Sequence, residues 1–242
     1  MSGMELLAPA GGMAQLEAAV RFGADSVYLG LAHLSMRAHA DNFTMDQLGE
    51  AVRFAHAYHV KIYLALNIFA RDADLSEIAA TANAAAQFGV DAAIVADPGA
   101  ICSIREAAPG LPIHLSTQMN VLNAASARFW HAQGVSRIVL SRELSLDEIR
   151  RIRDLTPPSL ELEAFAHGSV CMAYSGRCSL SRYMTGRDAN RGDCAQPCRY
   201  RYRLLEEKRP GQYFEVEQSS RGVQIFSAGD LCMIGRLHLL AR

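Results

Sequence analysis

The strongest constraint on the fold is an alternation. Seven short apolar runs, at residues 5–10, 26–30, 61–67, 92–97, 112–118, 136–142 and 160–167, are separated by stretches with helical spacing. The runs are too short for independent helices, and most are apolar almost throughout, as strands covered on both faces are. Between them, Met13, Leu16 and Val20 mark one helical stripe, and Leu48, Val52 and Ala55 mark another. Leu146, Ile149 and Ile152 share a third, with Glu148, Arg150 and Arg151 off the stripe. Asp97-Pro98 and the Ser145 to Glu148 capping box read as helix starts. Gly23, Gly89 and Gly134 stand where helices should stop. Regular strand–helix alternation means a parallel sheet. Seven units without a long interruption favour a TIM-type (β/α)8 barrel, which uses about 250 residues, over the alternative of an open doubly wound sheet.

The chain has 242 residues, half of them hydrophobic, so a disordered chain and a small disulfide scaffold are both excluded. After His167 the rhythm breaks. Residues 168–199 are rich in Gly, Arg and Cys and read as a loop. Residues 200–205 and 213–216 flank Lys208-Arg-Pro-Gly as a hairpin. Residues 224–228 read as one more short strand and 231–241 as a final helix. The organisation is therefore barrel units one to seven over 1–168, a cysteine-rich loop and hairpin over 169–223, and a return to the barrel over 224–242. No eighth core strand is visible.

Charge bounds the partners. There are 24 basic and 25 acidic residues, for a net of −1, so no global attraction to nucleic acid or membrane follows. The balance is uneven, however: residues 177–209 hold nine basic and four acidic side chains, with Tyr183, Tyr200 and Tyr202 interleaved. Arginine pairs with phosphate and tyrosine stacks on unpaired bases, so the stretch reads as an RNA contact; the other reading is a solvated hairpin face. No leader is visible at the N-terminus, and no apolar run reaches about 18 residues, which points to a cytoplasmic protein without a membrane span. Six cysteines without a leader point to metal or redox chemistry rather than disulfides.

Barrel chemistry sits where strands end. Polar residues fall there repeatedly: Asn67, Asp97, Gln118 with Asn120, Arg142 with Glu143, and Glu163 with His167. Arg142, Glu143, Glu163 and His167 are the catalytic candidates. Asn67, Asp97, Gln118, Asn120, Arg177 and Arg187 are candidates for holding substrate. His114 lies inside a strand and reads as a packing histidine. Cys171, Cys178, Cys194 and Cys198 fall within 28 residues, with Cys232 following, in the spacing C-x6-C-x15-C-x3-C-x33-C. Only the Cys194–Cys198 pair has zinc-module spacing, whereas an iron–sulfur cluster tolerates wider gaps, so both centres stay open. Cys102 reads as a buried apolar residue of the helix after Asp97.

These residues carry a resemblance. Glu163-Ala-Phe165-Ala-His167-Gly168-Ser169-Val170-Cys171, continuing through MAYSG to Cys178, resembles the signature of the peptidase U-32 (collagenase-like) family. MTGRDANRGDCAQPCR, from Met184 to Arg199, resembles its second block, and ELLAPAG, DPG, HLSTQMN and LSRELSLDEI match as well. The branch it resembles most is that of tRNA hydroxylation proteins. The resemblance implies a [4Fe–4S] cluster on Cys171, Cys178, Cys194 and Cys232, with Cys198 as the extra thiol. It also implies oxygen-independent conversion of the tRNA wobble uridine to 5-hydroxyuridine, with prephenate as oxygen donor. Sibling branches act on ribosomal RNA or ubiquinone precursors, some in pairs, so a protein partner, a homo-oligomer or a non-catalytic cluster-carrying subunit is a further expectation.

The family's older label asks for protease chemistry. The sequence holds neither H-E-x-x-H nor G-x-S-x-G, and a Cys171–His167 thiol dyad is the one arrangement that spacing suggests. Prephenate is a dicarboxylate and needs arginine forks, for which Arg142, Arg177 and Arg187 are nearest. Family members also continue past the DLC motif into a further strand. A shortened chain, or closure of the barrel by a partner, is therefore expected here.

Overall fold

A computed structural model describes residues 4–36, 42–171, 173–200, 202–205, 207–215 and 230–240. Seven strands form one sheet in sequence order: β1 (Leu7–Pro9), β2 (Ser26–Gly30), β3 (Lys61–Leu66), β4 (Ala92–Val95), β5 (Ile113–Leu115), β6 (Arg137–Val139) and β7 (Glu161–Glu163). Every pairing is parallel. The crossovers are α1 (Met13–Arg21), α2 (Met45–Ala57), α3 (Asp72–Phe88), α4 (Pro98–Ala107), α5 (Ala124–Ala132) and α6 (Leu146–Asp154). This is the incomplete (β/α)8 barrel that the alternation predicts, with β1 and β7 as its terminal strands among the described residues.

Local chemistry explains the boundaries. Ser145 and Glu148 form the expected capping box on α6, and Asp97 caps α4 ahead of Pro98. Thr44 and Gln47 cap α2 in the same way. Gly23, Gly89 and Gly134 all adopt positive φ just past a helix, a conformation that costs glycine least.

The strands present two faces. Val27, Leu29, Ile62, Leu64, Val95, Leu115 and Ile138 point outward into one core shared with helix residues such as Leu16, Leu48, Ile78 and Ile104. The alternate residues point into the lumen, where Tyr63, Ala92 and Ile94 make a small separate cluster with Leu7 and Tyr28.

The segment after β7 departs from expectation in three places. The stretch read as a loop over 168–199 contains a short helix, α7 (Leu180–Thr185). The seventh run does not continue to His167. The strand stops at Glu163, and His167–Gly168 forms β8, antiparallel to β11 (Leu231–Cys232). Consequently 231–241 is not one helix. Its first two residues satisfy their backbone groups in that ladder, Met233 N donates to Ala166 O, and only Leu237–Leu240 (α8) is α-helical. The expected hairpin forms with a shorter first strand, β9 (Arg203–Leu205) against β10 (Tyr213–Glu215). The strand expected at 224–228 lies outside the described residues. Cys102 is also corrected: Ala100, Ile101 and Ile104 form the buried stripe of α4, which leaves Cys102 exposed.

Candidate functional site at the barrel mouth

The lumen is polar where the outer face is dry. Strand register sets His114 beside Arg137, and Arg137 beside Glu161. The Arg137 side chain, 7% exposed, forks onto both oxygens of Glu5 at 2.8 and 2.9 Å. Its Nε donates to Glu161 at 2.7 Å, and its Nη1 lies 3.7 Å from Glu163. Ser26 and Tyr63 hydroxyls donate to Glu5 as well. Because Glu5 precedes β1 and Arg137 is on β6, this fork spans the lumen and shows how far the sheet curls.

The electrostatics follow from these contacts. Burial pushes the Glu5 carboxyl up, but the hydrogen bonds from Arg137, Ser26 and Tyr63 outweigh it and hold Glu5 down at about 2. Burial and then the Arg137 charge push His114 down to about 3, so it is neutral, packed edge-on to Tyr63 with ring centroids 4.6 Å apart. Glu163 goes the other way. Burial raises it to about 7, because Arg137 is already engaged by Glu5 and Glu161. One buried cation among three carboxylates leaves the last one inclined to hold a proton.

Above the lumen, the rim residues divide by occupation. Asp97 is committed to the α4 cap, accepting from Ala100 N at 2.9 Å. Asn67 accepts from Met36 N, and Gln118 is buried, accepting from Ser116 Oγ and donating to Asn67 O. Glu143 accepts from the N–H and hydroxyl of Ser175 at 2.7 and 2.8 Å. Those bonds overcome its burial and keep its carboxyl low, so Glu143 braces the loop beyond β8. Ser175 needs that brace: it is buried at φ 44°, which a side chain rarely adopts. Arg177 donates to Gln118 O and lies over the Phe69 ring, while Arg187 pairs with Asp193 on the exposed loop. His167 is exposed in β8.

Other polar atoms are uncommitted. Six buried side-chain polar atoms have no hydrogen-bond partner among the described residues. Five belong to β5, β6, β7 and the loops at their ends: His114 Nδ1, Asn120 Oδ1, Ser141 Oγ, Arg142 Nε and Glu163 Oε2. Each such atom costs about 1–3 kcal/mol unless something pairs with it. Asn120, Ser141, Arg142 and Glu163 fall where β5, β6 and β7 end, and His114 lies deeper, beside Arg137 in the lumen. Arg142 lies over Phe165 at 5.7 Å, with Gly176 so close that a Cβ there would meet its Nη2 at 3.4 Å.

The cysteine loop is bonded to this rim through Ser175 to Glu143, Arg177 to Gln118 O and Phe69 N to Asn190 O. All six cysteines are free thiols. Burial raises the Cys198 thiol, and Cys171, Cys194 and Cys178 lie near enough to raise it further, so four of the thiols share one neighbourhood. Backbone N–H groups of Leu180 and Gln196 point at Cys178 Sγ and Cys194 Sγ, at 3.4 and 3.3 Å. Cys232 stands opposite His167 in the β8–β11 ladder, and an Arg199–Asp230 pair at 3.2 Å joins its segment to that of Cys198. Among the described residues, no three His, Cys, Asp or Glu side chains converge tightly enough for a single metal ion.

The basic stretch is more neutral than its composition suggests. Arg182, Arg187, Arg191 and Arg199 pair with Asp188, Asp193, Asp74 and Asp230. Sequence reasoning also missed Glu5, Tyr63 and Arg137. The available signals were an arginine inside an apolar run and the strict alternation of Glu161, Leu162 and Glu163.

Comparison with known proteins agrees with this architecture. The chain is 44% identical over 202 residues to tRNA hydroxylation protein P1 of Bacillus subtilis, covering 84% of this chain and 47% of that protein. It is 43% identical over 204 residues to tRNA hydroxylation protein P of Escherichia coli, covering 84% and 45%. The chain thus spans about half the length of the curated relatives it matches. The solved structure of the U32 peptidase Mk0906 superposes with a TM-score of 0.56 at 16% identity, over 70% of this chain and 72% of that one, which speaks to the fold alone. The family model described as peptidase family U32 matches residues 11–242. With the match running from the first crossover through the cysteine loop, the chain belongs to peptidase family U32.

Proposed function

We propose that this chain carries the catalytic barrel of an RNA hydroxylase that converts the wobble uridine of tRNA to 5-hydroxyuridine without O2. The observation that carries the reading is that the loop bearing Cys171, Cys178, Cys194 and Cys198 is hydrogen-bonded to the barrel rim through Ser175–Glu143 and Arg177–Gln118, beside the unpaired atoms of Arg142 and Glu163. The names of the tRNA hydroxylation relatives support the choice of RNA, and a tRNA substrate is consistent with a cytoplasmic protein.

The donor set fits an iron–sulfur cluster. Thiols are the donors such clusters use, and Cys178 and Cys194 receive N–H···S hydrogen bonds of the kind that stabilise ligating sulfur. Cys171, Cys178, Cys194 and Cys232 would hold a [4Fe–4S] centre, with Cys198 as their spare neighbour. Such a centre supplies electron transfer that side chains lack. The Cys171 thiol, set among Cys178, Cys194 and Cys198, suits shared ligation better than lone attack on a peptide.

The chain's own residues do the rest. Arg142, with its Nε uncommitted, orients a carboxylate of a prephenate-class dicarboxylate, while Arg177 and Arg187 serve first to hold the loop. Glu163 holds a proton near neutral pH at the same mouth. Tyr183, 89% exposed, and Tyr200 offer stacking surfaces for unpaired bases beside arginines whose aspartate partners phosphate can displace.

Nucleoside mass spectrometry tests the proposal. In a strain lacking the full-length protein, 5-hydroxyuridine derivatives should vanish from tRNA and return with the wild type. They should not return with the Cys171→Ala, Cys178→Ala variant. Unchanged tRNA, or a loss confined to ribosomal RNA, overturns the tRNA assignment. Anaerobically purified protein should be brown with about four irons per chain, whereas a colourless zinc protein overturns the cluster.

A further inference from the structure

The six residues from Asp188 to Asp193 make an unusually complete junction between the cysteine loop and the barrel. Asn190 is its centre. Its Oδ1 accepts from Cys178 N at 3.0 Å and its Nδ2 donates to Cys178 O at 2.9 Å. One side-chain amide thus takes both main-chain polar groups of one cysteine, as a neighbouring strand would. Asn190 is itself fixed: its N–H donates to Asp188 Oδ1, and its O accepts from Phe69 N in the loop after β3.

Arg191 completes the attachment. It forks onto Asp74 at 2.7 and 2.9 Å and also donates to Phe69 O at 3.0 Å. Asp74 is held in turn by Arg71 N at the start of α3. Both main-chain groups of Phe69 are therefore engaged by Asn190 and Arg191. The Phe69 ring lies under Arg177, which precedes Cys178 and donates to Gln118 O, and Gln118 donates to Asn67 O. The contacts close into a circuit through Asn67, Phe69, Asn190, Cys178, Arg177 and Gln118.

We propose that Asn190 and Arg191 are positioning residues that latch Cys178 to the rim loop of Phe69 and Asp74, so that this thiol and the rim residues Asn67 and Gln118 move as one unit. The inference rests on the reading of Cys178 as a cluster ligand. The chemistry is specific to the residue types. Aspartate at 190 keeps the acceptor but loses the donor, and alanine loses both. Lysine at 191 keeps the charge but loses the planar fork.

The test uses the full-length protein and two readouts other than turnover. In apo protein, the rate at which iodoacetamide alkylates each cysteine is followed by mass spectrometry. Asn190→Ala should raise the Cys178 rate at least tenfold, and Asn190→Asp and Arg191→Lys severalfold, with Cys194 changed less than twofold. In loaded protein, the same variants should shorten the half-life of iron against a chelator in the same order. Exchanging the ion pair as Asp74→Arg with Arg191→Asp should restore part of the loss that Arg191→Asp causes alone. Unchanged Cys178 alkylation in Asn190→Ala, or an equal rise at Cys194 from general loosening of the loop, overturns the latch. If the wild type binds no iron, the ligand reading fails, and the alkylation rates alone decide the latch.

Discussion

The two faces of the sheet solve opposite problems. Outward, Leu29, Ile62, Leu64 and Leu115 are at most 1% exposed and pack on helices through dispersion and burial. On the inward face of the same sheet, Glu5, Tyr63, Arg137 and Glu163 meet through polar contacts, and His114 packs edge-on to Tyr63. The outer face tolerates any side chain of suitable size and shape. The inner face depends on one cation shared among Glu5, Glu161 and Glu163, so the two should respond differently to mutation and to pH.

The largest effect is expected at Arg137. Arg137→Met leaves Glu5, Glu161 and Glu163 without their shared cation, and breaking such a buried arrangement costs about 4 kcal/mol at neutral pH. The loss should shrink on acidification, as the stranded carboxylates take up protons. Adding Glu5→Gln should recover part of it, because the fork's main partner no longer carries charge. Urea titrations at pH 7 and pH 4.5 measure both. A loss independent of pH would mean that Arg137 acts by packing alone.

Leu64→Ala is the matching probe of the outer face. Leu64 is fully buried, and the truncation should cost about 3 kcal/mol through lost transfer energy and the cavity left behind. The same two titrations should give equal losses at both pH values. If Leu64→Ala and Arg137→Met showed the same pH profile, the distinction between the faces would collapse.

The outer face was also the legible one. Leu16 and Val20, or Ile149 and Ile152, announce a helix because their spacing matches its turn, and burial follows from periodicity alone. Ser145–Glu148 and Asp97-Pro98 were readable because a cap is a local device. The lumen was harder, since Arg137 and Glu5 are 132 residues apart and meet only through curvature. The same holds for Asp74 with Arg191 and for Asn190 with Cys178, whose pairing depends on how a loop folds back. His167 and Leu231 were misjudged for a related reason. A two-residue ladder contains too little periodicity to be seen, yet it redirects the backbone. The cysteines could be named from their motif, while their mutual approach could not be read from spacing.

The smallest effect, and the sharpest test of what the inner face is for, is expected at Glu163. Its carboxyl is raised from the ordinary value near 4.5 to about 7, so the folded protein binds the proton more tightly than the unfolded chain does. The sign is fixed by that order: this group weakens folding as pH rises from about 4.5 to about 7, and the penalty is complete above that window. Glu163→Gln removes the ionisation and should therefore stabilise the protein by about 2 kcal/mol at pH 8, with little change at pH 4. Glu5 behaves in the opposite sense. Held at about 2, it adds stability above pH 4.5 that is lost on strong acidification, so Glu163→Gln should flatten only the alkaline arm of the stability profile. Thermal unfolding across pH 4–8 reads this directly. A substitution that stabilises the fold while abolishing the proposed hydroxylation would identify Glu163 as a group whose cost to folding is tolerated for its chemistry. Loss of stability at pH 8 would instead mean that the carboxylate is paired more strongly than its 3.7 Å separation from Arg137 implies.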